Sequence, residues 1–238
     1  MKFRFILFFI FCTSIESIGQ HHSDTLSSPI TKTINLTITE KALNGQQNIY
    51  TGADYREDPR ITDAQHPYYF SKDWTLGSIL YFNKTFFKVP LLFNIATGQV
   101  ITGNFLTSKK MHLITEKIKS FSIHSHTFIR IQSVPGLTDG FYDLLYDGRT
   151  QLLASRKKIM EEKIEANALH ISFNEKSNYF IKINDRYYTV KNKSSFLSLM
   201  GNKKEELKKW AKSNHLKFRK NEDNFLVRNL EYFDRLEK

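Results

Sequence analysis

Apolar residues recur at one spacing up to Val190 and at another beyond it, and this switch constrains the fold more than any motif does. Before Val190 the runs are short, rich in aliphatic and aromatic residues, and often alternate with polar ones. That is the period of two expected of strands. After Val190 the spacing widens to about 3.6, the period of a helix with one buried face. The expected class is α+β: a curved antiparallel β-sheet or barrel-like β body over residues 30–190, with a C-terminal subdomain of about three helices over 191–238 packed on it.

Residues 74–105 carry the strand pattern most clearly, as three apolar runs separated by two compact turn signals. Asn83-Lys84 suits a two-residue hairpin turn, because Asn tolerates positive φ. Ala96-Thr97-Gly98 suits a short loop with Gly in the left-handed position. Pro90 cannot donate to a ladder, so an edge position or a bulge is expected there. Asp147-Gly148 predicts a type I′ hairpin turn. Residues 30–40 alternate around Ile34, Leu36 and Ile38, Asn44-Gly45 reads as a turn, and residues 48–59 read as a loop. The charged stretch 156–165 reads as a long connection or a helical stretch, followed by two strands near 169–173 and 179–183.

The helical part has its own punctuation. Ser194 or Ser195 can cap a first helix that Gly201 ends. Asn202 with Glu205 reads as a capping box for a second, which would bury Leu207, Trp210 and Ala211. Asn221 can cap a third, with Glu222 and Asp223 in the first turn, where the helix dipole favours them. Phe225, Leu226, Leu230 and Phe233 form the apolar stripe of that last helix.

The N-terminus reads as an export signal over residues 1–19. Lys2 and Arg4 are the positive start, residues 6–11 the apolar core, and Ser17-Ile18-Gly19 the small-residue end, with cleavage before Gln20 and a flexible leader over 20–29. The apolar run is too short for a membrane span, so no transmembrane span is expected in the mature chain. Cys12, the only cysteine, would leave with the signal, and the mature chain would hold no thiol. Its net charge would fall from +11 to +10, unevenly spread: residues 191–220 hold ten Lys or Arg against two Glu. Such a basic end suits an anionic envelope lipid, an acidic glycan or another envelope protein. Export removes nucleic acid from consideration.

Several segments together, Asn44-Gly45 with Tyr50, the run His66 to Phe70, LGSILYFN with VPLLFNI, FYDLLYDG, and SSFLSLMGNKKEELKKW, give the chain a resemblance. It resembles a group of uncharacterised exported proteins of the Bacteroidota over most of its mature length. The resemblance implies an envelope location and brings no activity with it.

The chemistry-bearing candidates are few. No nucleophile elbow, His-Glu-x-x-His run or phosphate-binding glycine loop is present, and no cofactor is implied. His124 and His126, spaced to share one face of a strand, are the metal candidates, with His112 or Asp139 as a third ligand. Asp54, Glu57 and Asp58 beside Arg56 and Arg60 offer either paired carboxylates or an ion-pair cluster. Tyr50, Tyr55, Tyr68, Tyr69 and Trp74 could line a ligand groove. Lys204, Lys208 and Lys212 fall in one helical row, whose mutual repulsion suits an anion contact. The functional expectation is an exported, non-enzymatic envelope protein acting by binding. The alternatives are a hydrolase or metal-dependent enzyme on cell-surface polymers, or a carrier holding an apolar ligand in the cup of the sheet.

Overall fold

The computed structural model of the chain describes residues 49–62, 64–104, 109–165 and 168–236. The expected signal peptide, leader, strand over 30–40 and Asn44-Gly45 turn lie outside the described residues.

Eleven strands form one antiparallel sheet. They are β1 (Gly52–Asp54), β2 (Thr75–Tyr81), β3 (Lys84–Asn94), β4 (Gln99–Asn104), β5 (Lys109–Leu113), β6 (Ile118–Ile123), β7 (His126–Ile131), β8 (Gly140–Asp147), β9 (Gln151–Glu165), β10 (Ala168–Ile183) and β11 (Arg186–Val190). Their order is β1-β5-β4-β3-β2-β6-β7-β8-β9-β10-β11, so the sheet is open and most neighbours are consecutive hairpins. It nevertheless curls. The Lys158 N–H on β9 reaches the Ile95 carbonyl at the end of β3 at 3.4 Å, although the two strands lie five places apart in the sheet.

Tight turns set the register. Phe82-Asn83, His124-Ser125 and Asn184-Asp185 each place two residues at positive φ, the backbone of the primed hairpin turns that match strand twist. The first turn falls one residue earlier than expected, because Lys84 already pairs with Tyr81. Gly98 occupies the left-handed region at φ 73°. Pro90 sits just past a bulge, marked by Lys88 at φ 53° and by a register slip between Gly77 and Ile79. The ladder to β4 starts only at Leu91, so the missing N–H leaves no gap in it.

Two expectations are corrected here. Residues 156–165 are neither connection nor helix: they continue β9, which pairs without interruption against β10. Alternation puts Lys158, Met160, Glu162 and Ile164 on one face, and Lys158 opposes Glu175 across the ladder, so the charges serve a strand as well as they would a helix. The two strands expected at 169–173 and 179–183 are one strand for the same reason. The Asp147-Gly148 turn is also replaced. Asp147 pairs with Gln151, which leaves a three-residue loop. Its Thr150 donates to Asp234 through backbone N–H and hydroxyl at 3.0 Å each, and Tyr146 adds its hydroxyl at 3.0 Å. A Cβ at Gly148 would collide with the Tyr146 hydroxyl.

Three helices follow: α1 (Lys193–Leu199), α2 (Lys204–Ser213) and α3 (Glu222–Leu236). The α1 cap is Asn192, not Ser194 or Ser195, although Ser195 completes the capping box from within the first turn. Gly201 takes φ 56° after it. The Asn202–Glu205 capping box does not form, because a 3₁₀ turn over Gly201–Lys203 runs straight into α2. Asn221 does cap α3, accepting from the Asn224 N–H at 2.9 Å.

One row of directly paired residues crosses eight strands on a single face: Phe86, Ile79, Phe121, Phe128, Asp143, Ala154, Tyr179 and Val190. Its first part belongs to an aromatic core built with Tyr69, Phe93 and Phe141. Its last part belongs to a second core, where Phe196, Leu207, Phe225 and Leu230 of the helices cover β9 to β11. Burying each large apolar side chain contributes about 1.5–3 kcal/mol. Phe225, Leu226 and Leu230 are buried as expected of the α3 stripe, whereas Phe233 is only half-buried.

Between the two cores the face turns ionic. Asp143 is fully buried and accepts from Arg156 Nε and Nη2 at 3.1 and 2.9 Å. The same guanidinium reaches Asp223 of α3 at 2.6 Å, and the Tyr179 hydroxyl donates to Asp223 at 2.6 Å. A bidentate arginine meeting two carboxylates is the geometry in which a buried pair offsets its own desolvation. The sequence pattern carried no sign of this seam.

Candidate functional site

The cup of the sheet is filled by the two cores and the ionic seam. An open concavity lies beyond the seam, where the projecting half of the β9–β10 hairpin meets residues between Tyr55 and Pro67. It is a groove of about 610 Å³. Tyr55, Ile61 and Pro67 form one wall, and Ile159, Met160 and Phe173 form the other. Asn94, Thr97 and Gln99 at the β3–β4 turn close one end, while Arg56, Asp58 and Lys157 supply charge at the rim. An apolar trough with a few convergent polar groups is the usual build of a small-molecule site.

Both walls are fixed by polar contacts. Asn94 donates to the Tyr55 hydroxyl at 3.1 Å, Tyr55 and Tyr68 share a hydrogen bond at 3.2 Å, and Tyr68 donates to Glu57 at 2.8 Å. Lys110 completes the chain at Glu57. Burial pushes the Glu57 carboxyl up, but the bonds from Lys110 and Tyr68 outweigh it and leave the group below its ordinary range. On the hairpin side, Lys158 donates to the carbonyls of His66 and Tyr68 at 3.0 and 2.8 Å, and burial holds its ammonium below the usual lysine value. Arg60 bridges Asp58 and Glu162 at 2.7 and 2.9 Å. That clamp holds the Asp58 carboxyl at about 2, chiefly through the guanidinium hydrogen bonds. Gln65 accepts from the Phe173 N–H at 2.7 Å.

The apolar wall continues outward. Met160 pairs with Phe173, Glu162 with Ile171, and Ile164 with Leu169, so all six share one face of the hairpin. On that face Met160, Ile164 and Leu169 are 45%, 79% and 50% exposed, and Ile159, on the opposite face, is 52% exposed. A strand pair with this much uncovered aliphatic surface is unusual for a soluble face and marks a contact surface.

The five aromatics singled out from the sequence do not gather in one site. Tyr55 lines the groove. Tyr68 and Tyr69 are buried and offer no open ring face. Tyr50 is half-buried against the aromatic core, and burial raises its hydroxyl pKa. Trp74 is 40% exposed, with the Lys110 ammonium 5.8 Å from its ring centre.

The two histidines do come together, though His124 sits in the turn and only His126 on a strand. His126 faces Asp143 through Nδ1 at 2.9 Å, and that bond raises its pKa. His124 bonds Thr75 at 2.9 Å and stacks on Phe70, and burial then the neighbouring His126 lower its pKa. A histidine held by a buried aspartate can serve as a general base, but no hydroxyl or thiol among the described residues bonds His126. His112 pairs within β5, and Asp139 accepts from the Ser133 N–H. Among the described residues, no three His, Cys, Asp or Glu side chains converge as for a metal.

Asp54, Glu57 and Asp58 each meet a cation, Lys109, Lys110 and Arg60 respectively. Lys204, Lys208 and Lys212 lie along α2, with Lys208 paired to Glu205 at 2.7 Å. No helix among the described residues is long and apolar enough to cross a membrane.

Sequence reasoning missed Ile159 and Met160, because residues 157–164 (KKIMEEKI) show no period of two, and it placed Phe173 on a strand without assigning it to a site. Comparison with family models, curated proteins and solved structures finds no match.

Proposed function

We propose that this chain is an exported envelope protein that acts by binding, and that the groove between the 55–67 segment and the β9–β10 hairpin holds an elongated amphiphile. The observation that carries this reading is the apolar patch of Met160 and Phe173 at a groove of about 610 Å³, with Ile171, Ile164 and Leu169 farther out on the same face around Glu162. An apolar chain lies along that face, and a carboxylate or similar anionic head meets Arg56 or Lys157 at the rim. Of the two alternatives raised from the sequence, a carrier is favoured over an enzyme, with its site outside the cup.

The test is titration with a fluorescent long-chain carboxylate below its micellar concentration. Saturable, stoichiometric binding that unlabelled carboxylate displaces supports the reading. Absence of saturable binding contradicts it. Export rests separately on Lys2, Arg4, the apolar run and Ser17-Ile18-Gly19. N-terminal sequencing of protein recovered from cells should read from Gln20, and a chain starting at Met1 would contradict export.

A further inference from the structure

A second concavity lies at the opposite, C-terminal end of the chain and is independent of the amphiphile groove. It measures about 810 Å³ and opens between the start of α1 and the segment joining α2 to α3. Lys191 and Lys193 line one side, Lys217 and Arg219 the other. All four are exposed, and none forms an ion pair among the described residues. Glu222 is the single acidic residue in the lining. The Lys193 ammonium lies over the Phe225 ring at 5.6 Å from its centre, and four cations around one hollow repel one another, a repulsion that is relieved when an anion enters.

The shape of the hollow selects among anions. Leu216 and Phe218 add a half-buried apolar floor beside Lys217 and Arg219. The Phe218 ring is fixed edge-on against Phe225, with centroids 5.4 Å apart, so it presents a set face. A flat bilayer would touch only the rim of such a groove. A linear polymer with carboxylates on alternate sides and ring faces between them reaches both the cations and the floor, and Arg219 can fork a carboxylate in two bonds.

We propose that this groove is a binding site for an acidic polysaccharide of the polyuronate type. Polygalacturonate is the probe. The intact chain binds it, and the affinity falls as salt is raised from low to physiological strength. Replacing Lys191, Lys193, Lys217 and Arg219 together by Gln weakens binding by roughly tenfold or more, as expected when the charges that complement a ligand are removed. The Lys204→Gln, Lys208→Gln, Lys212→Gln variant removes a similar charge elsewhere and changes binding less than about twofold. Circular-dichroism melts confirm that both variants are folded. Phosphatidylcholine vesicles carrying phosphatidylglycerol, and inorganic phosphate, serve as separate arms. The proposal is overturned if polygalacturonate does not bind, if both variants lose affinity equally, or if the vesicles bind through the four cations and the polymer does not.

Discussion

The two halves of the β9–β10 hairpin share one uninterrupted ladder and lead opposite lives. From Gln151 to Arg156, and from Ser177 to Ile183, the pair lies under the helices. There Leu152, Leu153 and Ala154 have no exposed surface. From Lys157 outward the same two strands leave the body, and Ile159, Met160, Ile164 and Leu169 stand open. Backbone pairing alone therefore does not distinguish core from site. The difference lies in what covers the side chains: the three helices on the inner half and, among the described residues, the chain around Tyr55 to Pro67 on the outer half. Arg156 marks the boundary, with Asp143 and Asp223 on the body side and the groove beginning at Lys157 and Lys158.

This contrast breaks most sharply at the boundary itself. Arg156→Met leaves Asp143, which is 0% exposed, with His126, charged only when protonated, as its remaining ion-pair partner among the described residues. Removing one member of such a buried pair costs about 3–5 kcal/mol, and Phe225→Ala in the second core should cost a similar 3–5 kcal/mol, about the usual value for a buried ring. Denaturant titration measures both, and in each the protein that remains folded should bind the amphiphile as before. Asp234→Ala comes next. It strands the buried Thr150 N–H and removes the acceptor of Tyr146, at a cost of about 1–3 kcal/mol.

A smaller effect should appear with pH. The folded pKa of His126 is raised, so its contribution is complete below the ordinary imidazole value of about 6.5 and is lost as pH rises through the raised value. His124 is lowered and carries the opposite sign: it subtracts stability once pH falls below that ordinary value. Across the near-neutral range, His126→Gln should therefore remove a decline in the denaturation midpoint with rising pH. His124→Gln should make that decline steeper. Midpoints that respond identically in both variants would show that neither ring is held as described. Smallest of all, replacing Lys204, Lys208 and Lys212 by Gln should change stability by less than about 0.5 kcal/mol, since all three reach solvent.

Much of the body was legible from period and punctuation. The strands from β2 to β4, the Gly98 turn, the Asn221 cap and the Phe225–Leu230 stripe all follow from local pattern. The seam was not, because Asp143, Arg156 and Asp223 are far apart in sequence and each resembles an ordinary surface charge until the fold brings them to 2.6–2.9 Å. The Asp147-Gly148 turn misled for a related reason: a carboxylate from α3, at Asp234, rewrote a local preference from 84 residues away. At the site, of the five aromatic residues Tyr68 and Tyr69 are buried and Tyr55 alone lines the groove. One wall holds Ile159 and Met160, whose strand is disguised by Lys and Glu neighbours, and Phe173 from the strand expected at 169–173. Residues 157–164 show no period of two, and only the long-range pairing with β10 makes them a strand.

The central claim is that the outer half of the hairpin binds and the inner half only supports. The Ile159→Asp, Met160→Asp double variant tests it most directly, because both side chains line the groove and are about half exposed. Its melting should match the parent, since exposed substitutions seldom change stability by more than about 0.5 kcal/mol. Its affinity for the fluorescent long-chain carboxylate should fall by roughly tenfold or more, because a carboxylate set against an apolar chain and an anionic head opposes both contacts. Parent-like affinity in a parent-like fold would contradict the claim and remove the hairpin from the binding site.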